Sequence, residues 1–231
     1  MPGDLIAELK DRRRIVISPF FQQAPDNPRY RPGDPGLFAF VAARIYTLDL
    51  TPGQTNNVGE KIDGSIKAGA PAAPPAPNAP VHLFKWLPFV AGSITYTAVD
   101  RQFPILTGNM TGCWLSTFQL RGQTWLAHIG TDSNSVATTL DVKNAWTIAT
   151  RNLLTKPAAR PGPPAAPPTL GISPPFQAFQ PSKHVNGMVT FGAMTTQGAF
   201  YAVACDNLPG NTHVVKQVRQ VTNLNPGPMF T

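Results

Sequence analysis

Apolar and polar positions alternate over residues 92–99, the pattern of a half-buried strand, and two β-rich runs follow at 114–120 and 124–129. Gly122, between those runs, suits a tight hairpin turn. Further strands are expected at 15–17, 44–50, 187–194, 199–205 and 212–221, with Ile45 and Tyr46 of the second pointing to opposite faces. The period changes in one long stretch. Val142, Ala145, Trp146, Ala149 and Leu153 recur at helical spacing after the helix-starting cluster 132–135, which predicts a helix laying this stripe on a sheet. A short helix is also expected at 4–10. Many strands with few helices define an α+β, strand-rich single domain, an antiparallel sheet or β-sandwich flanked by a few helices.

Composition changes this picture in two places. Residues 69–80 and 157–175 are Pro/Ala-rich and bury too little to order themselves, so they read as exposed insertions within one domain spanning 1–231. Prolines 25, 28, 32 and 35 likewise make 22–36 a covering loop, and 26 prolines in all argue against a helical bundle. Apolar residues make up 42% and charged residues 13% of the chain, as in a folded protein with a rather neutral surface. The net charge of +7 owes as much to the scarcity of acids, 12 in total, as to bases. The cluster Lys10, Arg12, Arg13 and Arg14 has no aromatic interleaving, so it reads as a solvated turn and no nucleic-acid partner is expected. No apolar run approaches a membrane helix, and no basic stretch followed by an apolar one opens the chain. A soluble monomer made in the cytoplasm is expected, exported, if at all, without a cleavable leader.

The residues that could carry chemistry lie in the hairpin. If Arg121 and Gly122 form its turn, Leu120 pairs with Gln123, His128 stands opposite Leu115, and Cys113 becomes a diagonal neighbour of His128 on one face, with backbones roughly 7–8 Å apart. A thiol attacks only as thiolate, and an imidazole nearby takes its proton or stabilises the anion. Gly112 lets substrate approach and leaves backbone N–H groups free to meet an oxyanion. A second reading of the same residues stays open, since free cysteine is often buried and a strand histidine can merely satisfy a core hydrogen bond.

Elsewhere the signals are weaker. Cys205 and His213 flank 206–211, and Cys205 reads as a structural residue ending a strand. His82 and His184 adjoin the Pro-rich segments and are expected to be exposed, whereas Asp132 belongs to a helix cap. Two cysteines and four histidines never fall into zinc-ligand spacing, and no phosphate-cradling loop is present, so neither a metal nor a cofactor is expected.

Residues 106–113, ending in Thr111, Gly112 and Cys113, followed by Leu126, Ala127 and His128, resemble the active-site pattern of the cytotoxic-necrotizing-factor and Burkholderia-lethal-factor deamidase toxins. They are also similar to the chemotaxis receptor glutamine deamidases. Thr111 stands where those toxins have serine, and Trp114 where they have a smaller residue. The resemblance implies a β-sandwich with flanking helices and a Cys113 nucleophile with His128 as its base. Thr107 takes the position whose backbone carbonyl orients the histidine, and Gly112, Thr111 and Trp114 lie around substrate and oxyanion. It implies deamidation of a glutamine on a host-cell protein by a bacterial effector or toxin, made in the bacterial cytoplasm and secreted into the host cell. A non-catalytic β-rich binding protein, or a Cys-His protease or transglutaminase, is the alternative.

Overall fold

The computed structural model describes residues 5–11, 15–16, 38–40, 44–49, 61, 64–68, 81–99, 101–108, 110, 112–120, 122–155, 176–177, 188–208 and 212–221. Helix α1 is Leu5–Asp11. Four strands follow: β1 (Ile15–Val16), β2 (Phe38–Phe40), β3 (Arg44–Asp49) and β4 (Gly64–Ala68). Next come β5 (Val81–Pro88), β6 (Ile94–Ala98), β7 (Ile105–Gly108), β8 (Trp114–Leu120) and β9 (Gln123–Ile129). Helix α2 covers Val136–Thr155, and β10 (Phe176–Gln177), β11 (Met188–Met194), β12 (Phe200–Leu208) and β13 (Thr212–Gln220) complete the order. The chain is α+β and strand-rich, as its hydrophobic pattern predicts. The expected insertions at 69–80 and 157–175, the loop 22–36 and His184 lie outside the described residues.

Eight strands form a closed barrel in the order β1-β13-β12-β11-β7-β5-β3-β4, and five form a second sheet, β10-β8-β9-β6-β2. Pairing is not wholly antiparallel: β5 runs parallel to β7, β2 to β6, and β1 to β4. The parallel pair β5/β7 arises because the chain leaves the barrel between them to lay β6 into the other sheet.

Three apolar clusters hold these layers. One face of the barrel sheet gathers Leu48, Phe84, Trp86, Leu106 and Val203 around α1, whose Leu5, Ile6 and Leu9 fall on one helical face. Its other face packs Leu87, Ile105, Met194, Ala202 and Ala204 against Cys113, Leu115 and Leu126 of the second sheet. The outer face of the second sheet receives α2 through Ile94, Phe118, Ala127 and Ile129 against Val142 and Trp146. Val142, Trp146 and Ala145 thus pack as the helical spacing predicts, and the Ser135 hydroxyl caps α2 by accepting from the Thr138 N–H at 3.1 Å.

His82 corrects an expectation. It is buried in β5, opposite Leu48, with Nε2 3.5 Å from a Glu8 carboxylate oxygen of α1. Helix α1 covers that face of the barrel sheet, so proximity to a Pro-rich segment does not make His82 exposed. Cys205 also differs in detail: β12 continues past it to Leu208, and burial pushes its thiol up to about 12, which leaves it inert.

Candidate active site

The β8/β9 hairpin positions the two candidate groups. Leu120 pairs with Gln123 and Leu115 with His128, so the two-residue turn sets the register counted from the sequence. Side chains two apart share a face, which places Cys113, Leu115 and His128 together toward the barrel sheet. The next strand continues the row, with Thr95 of β6 opposite His128 and its hydroxyl donating to the Pro88 carbonyl at 2.8 Å.

Across the gap between sheets, β7 presents Thr107, and β11 sets Gly192 beside it. A Cβ on Gly192 would come within 2.4 Å of Leu115 Cδ1 and 3.4 Å of Thr107 Cγ2. The missing side chain lets Leu115 key into the barrel sheet, and this brings the second sheet close enough for His128 to reach Thr107.

The resulting hydrogen bonds fix where the imidazole proton sits. Thr107 Oγ1 lies 2.7 Å from the Leu87 carbonyl oxygen and 2.7 Å from His128 Nδ1. A carbonyl only accepts, so the single hydroxyl proton goes to Leu87, and Thr107 Oγ1 must accept from His128. The proton therefore resides on Nδ1, and Nε2 carries a lone pair. Among the described residues Nε2 has no hydrogen-bond partner although it is buried. A buried polar atom left open in this way is costly, and His213 Nδ1 is another such imidazole nitrogen. The orienting group is thus the Thr107 side chain rather than its backbone carbonyl, so the residue type at 107 is constrained.

Cys113 is held by a different residue. Its Sγ lies 3.3 Å from Thr131 Oγ1 and accepts from the Thr131 N–H at 3.4 Å. With Nδ1 turned to Thr107 and Nε2 open, no hydrogen bond joins the sulfur to His128 in this arrangement. Cys113 is 1% exposed and His128 0% exposed, with the Phe89 ring 5.4 Å from the imidazole between centroids.

Burial dominates the electrostatics of both groups. It pushes the Cys113 thiol above its usual range, against the Thr131 hydrogen bonds and the charge of Lys143, which favour thiolate. It pushes His128 down to about 3. Both groups are therefore neutral at pH 7, a thiol and an imidazole on one sheet face.

The remaining sequence candidates fall as follows. Gly112 adopts φ +82°, a left-handed conformation that favours glycine, immediately before the thiol. Trp114 packs in the cluster under α2, opposite to Cys113, with Lys143 Nζ 4.7 Å above its ring, so it does not line the thiol's face. The alternation of a strand beginning at residue 114 requires this. Thr111 lies outside the described residues. Thr131 and Lys143 escaped the sequence reading: Thr131 follows a glycine that breaks the strand period, and Lys143 reaches the site from a separate helix. Among the described residues no group of three His, Cys, Asp or Glu side chains is placed to hold a metal ion, and no helix is long and apolar enough to cross a membrane.

Replacing Thr107 by valine keeps the shape but strands the Nδ1–H of His128 and removes the hydroxyl's bond to the Leu87 carbonyl. The expected result is a loss of about 2 kcal/mol in urea unfolding, recovered in Thr107→Ser. Equal midpoints for Thr107→Val and wild type would refute the hydroxyl's role.

No protein-family model and no curated protein matches the sequence. Among solved structures the chain is weakly similar to the C-terminal domain of CNFy from Yersinia pseudotuberculosis, at 9% identity over 78% of this chain and 87% of that one, with a TM-score of 0.29.

Proposed function

We propose that the chain is a cysteine-dependent deamidase that converts a glutamine side chain of a target protein to glutamate, acting as a bacterial effector inside another cell. The observation that carries this reading is the imidazole of His128, held by Thr107 as the Nδ1–H tautomer with Nε2 open, on the same sheet face as the Cys113 thiol.

Because burial opposes both charged forms, a resting thiolate–imidazolium pair is disfavoured and the proton moves as the bond forms. The Cys113 sulfur attacks the carboxamide carbon while its proton passes to Nε2. Backbone N–H groups at Gly112 and Cys113 are the donors for the oxyanion. Collapse of the tetrahedral intermediate expels ammonia, which takes the proton from Nε2–H, and leaves a thioester. Water then gives a proton to Nε2 and its oxygen to the acyl carbon, releasing glutamate and the thiol. Throughout, Thr107 keeps accepting from Nδ1–H, which stabilises the transient imidazolium.

Incubation with host-cell proteins, followed by mass spectrometry for amide-to-acid conversion, tests the reading. Conversion is expected with wild type and is expected to vanish with Cys113→Ser; conversion that persists in that variant would sink it.

The complete burial of both groups favours a second reading, a non-catalytic β-rich binding protein in which Cys113 and His128 are core residues. Alkylation separates the two: a nucleophile reacts in the folded protein, whereas a core thiol reacts only on unfolding.

A further inference from the structure

We infer that Thr131 is a positioning residue that presents two hydrogen-bond donors to the Cys113 sulfur and so holds it as thiolate during attack. The inference rests on the deamidase reading and adds to it a group outside the Cys113, His128 and Thr107 set.

The backbone around Thr131 is fixed on both sides. Gly130 N–H donates to the Ser93 carbonyl at 2.8 Å, and the Gly130 carbonyl accepts from Gly92 N–H at 2.9 Å. On the other side, Asp132 N–H donates to Thr139 Oγ1 at 3.0 Å, and that hydroxyl donates back to the Asp132 carbonyl at 2.9 Å. One clamp ties the segment to the loop before β6 and the other to the first turns of α2. The Thr131 amide between them is aimed at Sγ without freedom to turn away.

The hydroxyl adds a donor that can reverse. A neutral thiol can give its S–H to Thr131 Oγ1 or accept that hydroxyl's proton, since either atom can be the donor. Once the proton has left for Nε2, sulfur only accepts, and both the N–H and the O–H of Thr131 point at it. Hydrogen bonds to a charged acceptor are the stronger kind, so both strengthen as the anion develops. A Cβ at Gly112 would meet Thr131 Oγ1 at an ordinary 3.4 Å, so it is the φ of +82°, not crowding of the hydroxyl, that favours glycine there.

Of the ionisable side chains around the thiol, Lys143 from α2 acts on it and favours thiolate, while His128 from β9 shares its sheet face. Neither changes in a Thr131 variant, so any shift there belongs to Thr131.

The test is the pH profile of Cys113 alkylation by iodoacetamide in the folded protein, read peptide by peptide to separate Cys205. Thr131→Val keeps the shape and the backbone donor but removes the hydroxyl. It is expected to raise the midpoint by about one pH unit, which slows alkylation near tenfold below the midpoint, and Thr131→Ser is expected to restore wild type. Identical midpoints in wild type and Thr131→Val overturn the role of Thr131 while leaving Cys113 a nucleophile. A wild-type thiol inert until unfolding overturns the deamidase reading and this inference with it. Should the valine variant fail to fold, the Thr131 amide resonance of wild type serves instead. It is expected to titrate with the Cys113 midpoint, and an amide indifferent to thiol ionisation overturns the inference.

Discussion

Acidification from pH 6.5 toward pH 3 is expected to destabilise the protein steeply, because two buried histidines resist protonation in the folded state. Burial pushes His128 down to about 3 and His213 down to about 4, from an ordinary value of 6.5. Below pH 6.5 the unfolded chain binds these protons and the folded chain does not, so stability must rise with pH across the window and fall as acid is added. Each histidine contributes about 1.4 kcal/mol per pH unit while it is inside its window, down to about pH 3 for His128 and about pH 4 for His213. Urea midpoints at a series of pH values measure the slope. His128→Gln is expected to remove its own share, whatever its effect at neutral pH, and an unchanged slope in that variant would show that His128 titrates normally. The same burial that depresses His128 also weakens Nε2 as a proton acceptor.

Gly130→Ala is the substitution with the largest expected structural cost. A Cβ at residue 130 would lie 2.2 Å from the Val90 carbonyl oxygen and 3.0 Å from that of Ser93. Both neighbours are backbone, so no side-chain rotation relieves the clash, and the strand end that carries Thr131 must move. A loss of at least about 3 kcal/mol is expected, a fall of roughly 6–12 °C in melting temperature. Gly122→Ala is the control: φ is +77° there but nothing lies within 4 Å of the added carbon, so only the conformational cost of about 1–2 kcal/mol remains. If the two variants melt together, the close approach at Gly130 is not what holds this corner.

The parts of the fold that could be read in advance are those in which one signal dominated. Gly122 between two β-rich runs set the hairpin register, and with it the shared face of Cys113 and His128. The spacing of Val142, Ala145 and Trp146 gave α2 and its buried stripe. Strand β5 was not anticipated, because Phe84 and Trp86 pack on one face of the barrel sheet and Leu87 on the other. With both faces covered, its apolar positions do not alternate. Strand β7, buried at all four positions, is hidden for the same reason. Within the site, the sequence pointed to residue 107 but not to its hydroxyl, since that role depends on the Leu87 carbonyl of another strand. The Thr131 contact is a meeting of two strand ends, which no local pattern encodes.

The proton on His128 is placed by a carbonyl of β5 and a hydroxyl of β7, both in the barrel, while the imidazole itself rides on the second sheet. A transplant of the β8/β9 hairpin onto a foreign scaffold would therefore carry the sulfur and the ring but leave behind the instruction for which nitrogen bears the hydrogen. What looks like a compact motif of sixteen residues from Cys113 to His128 is, chemically, shared property of two sheets.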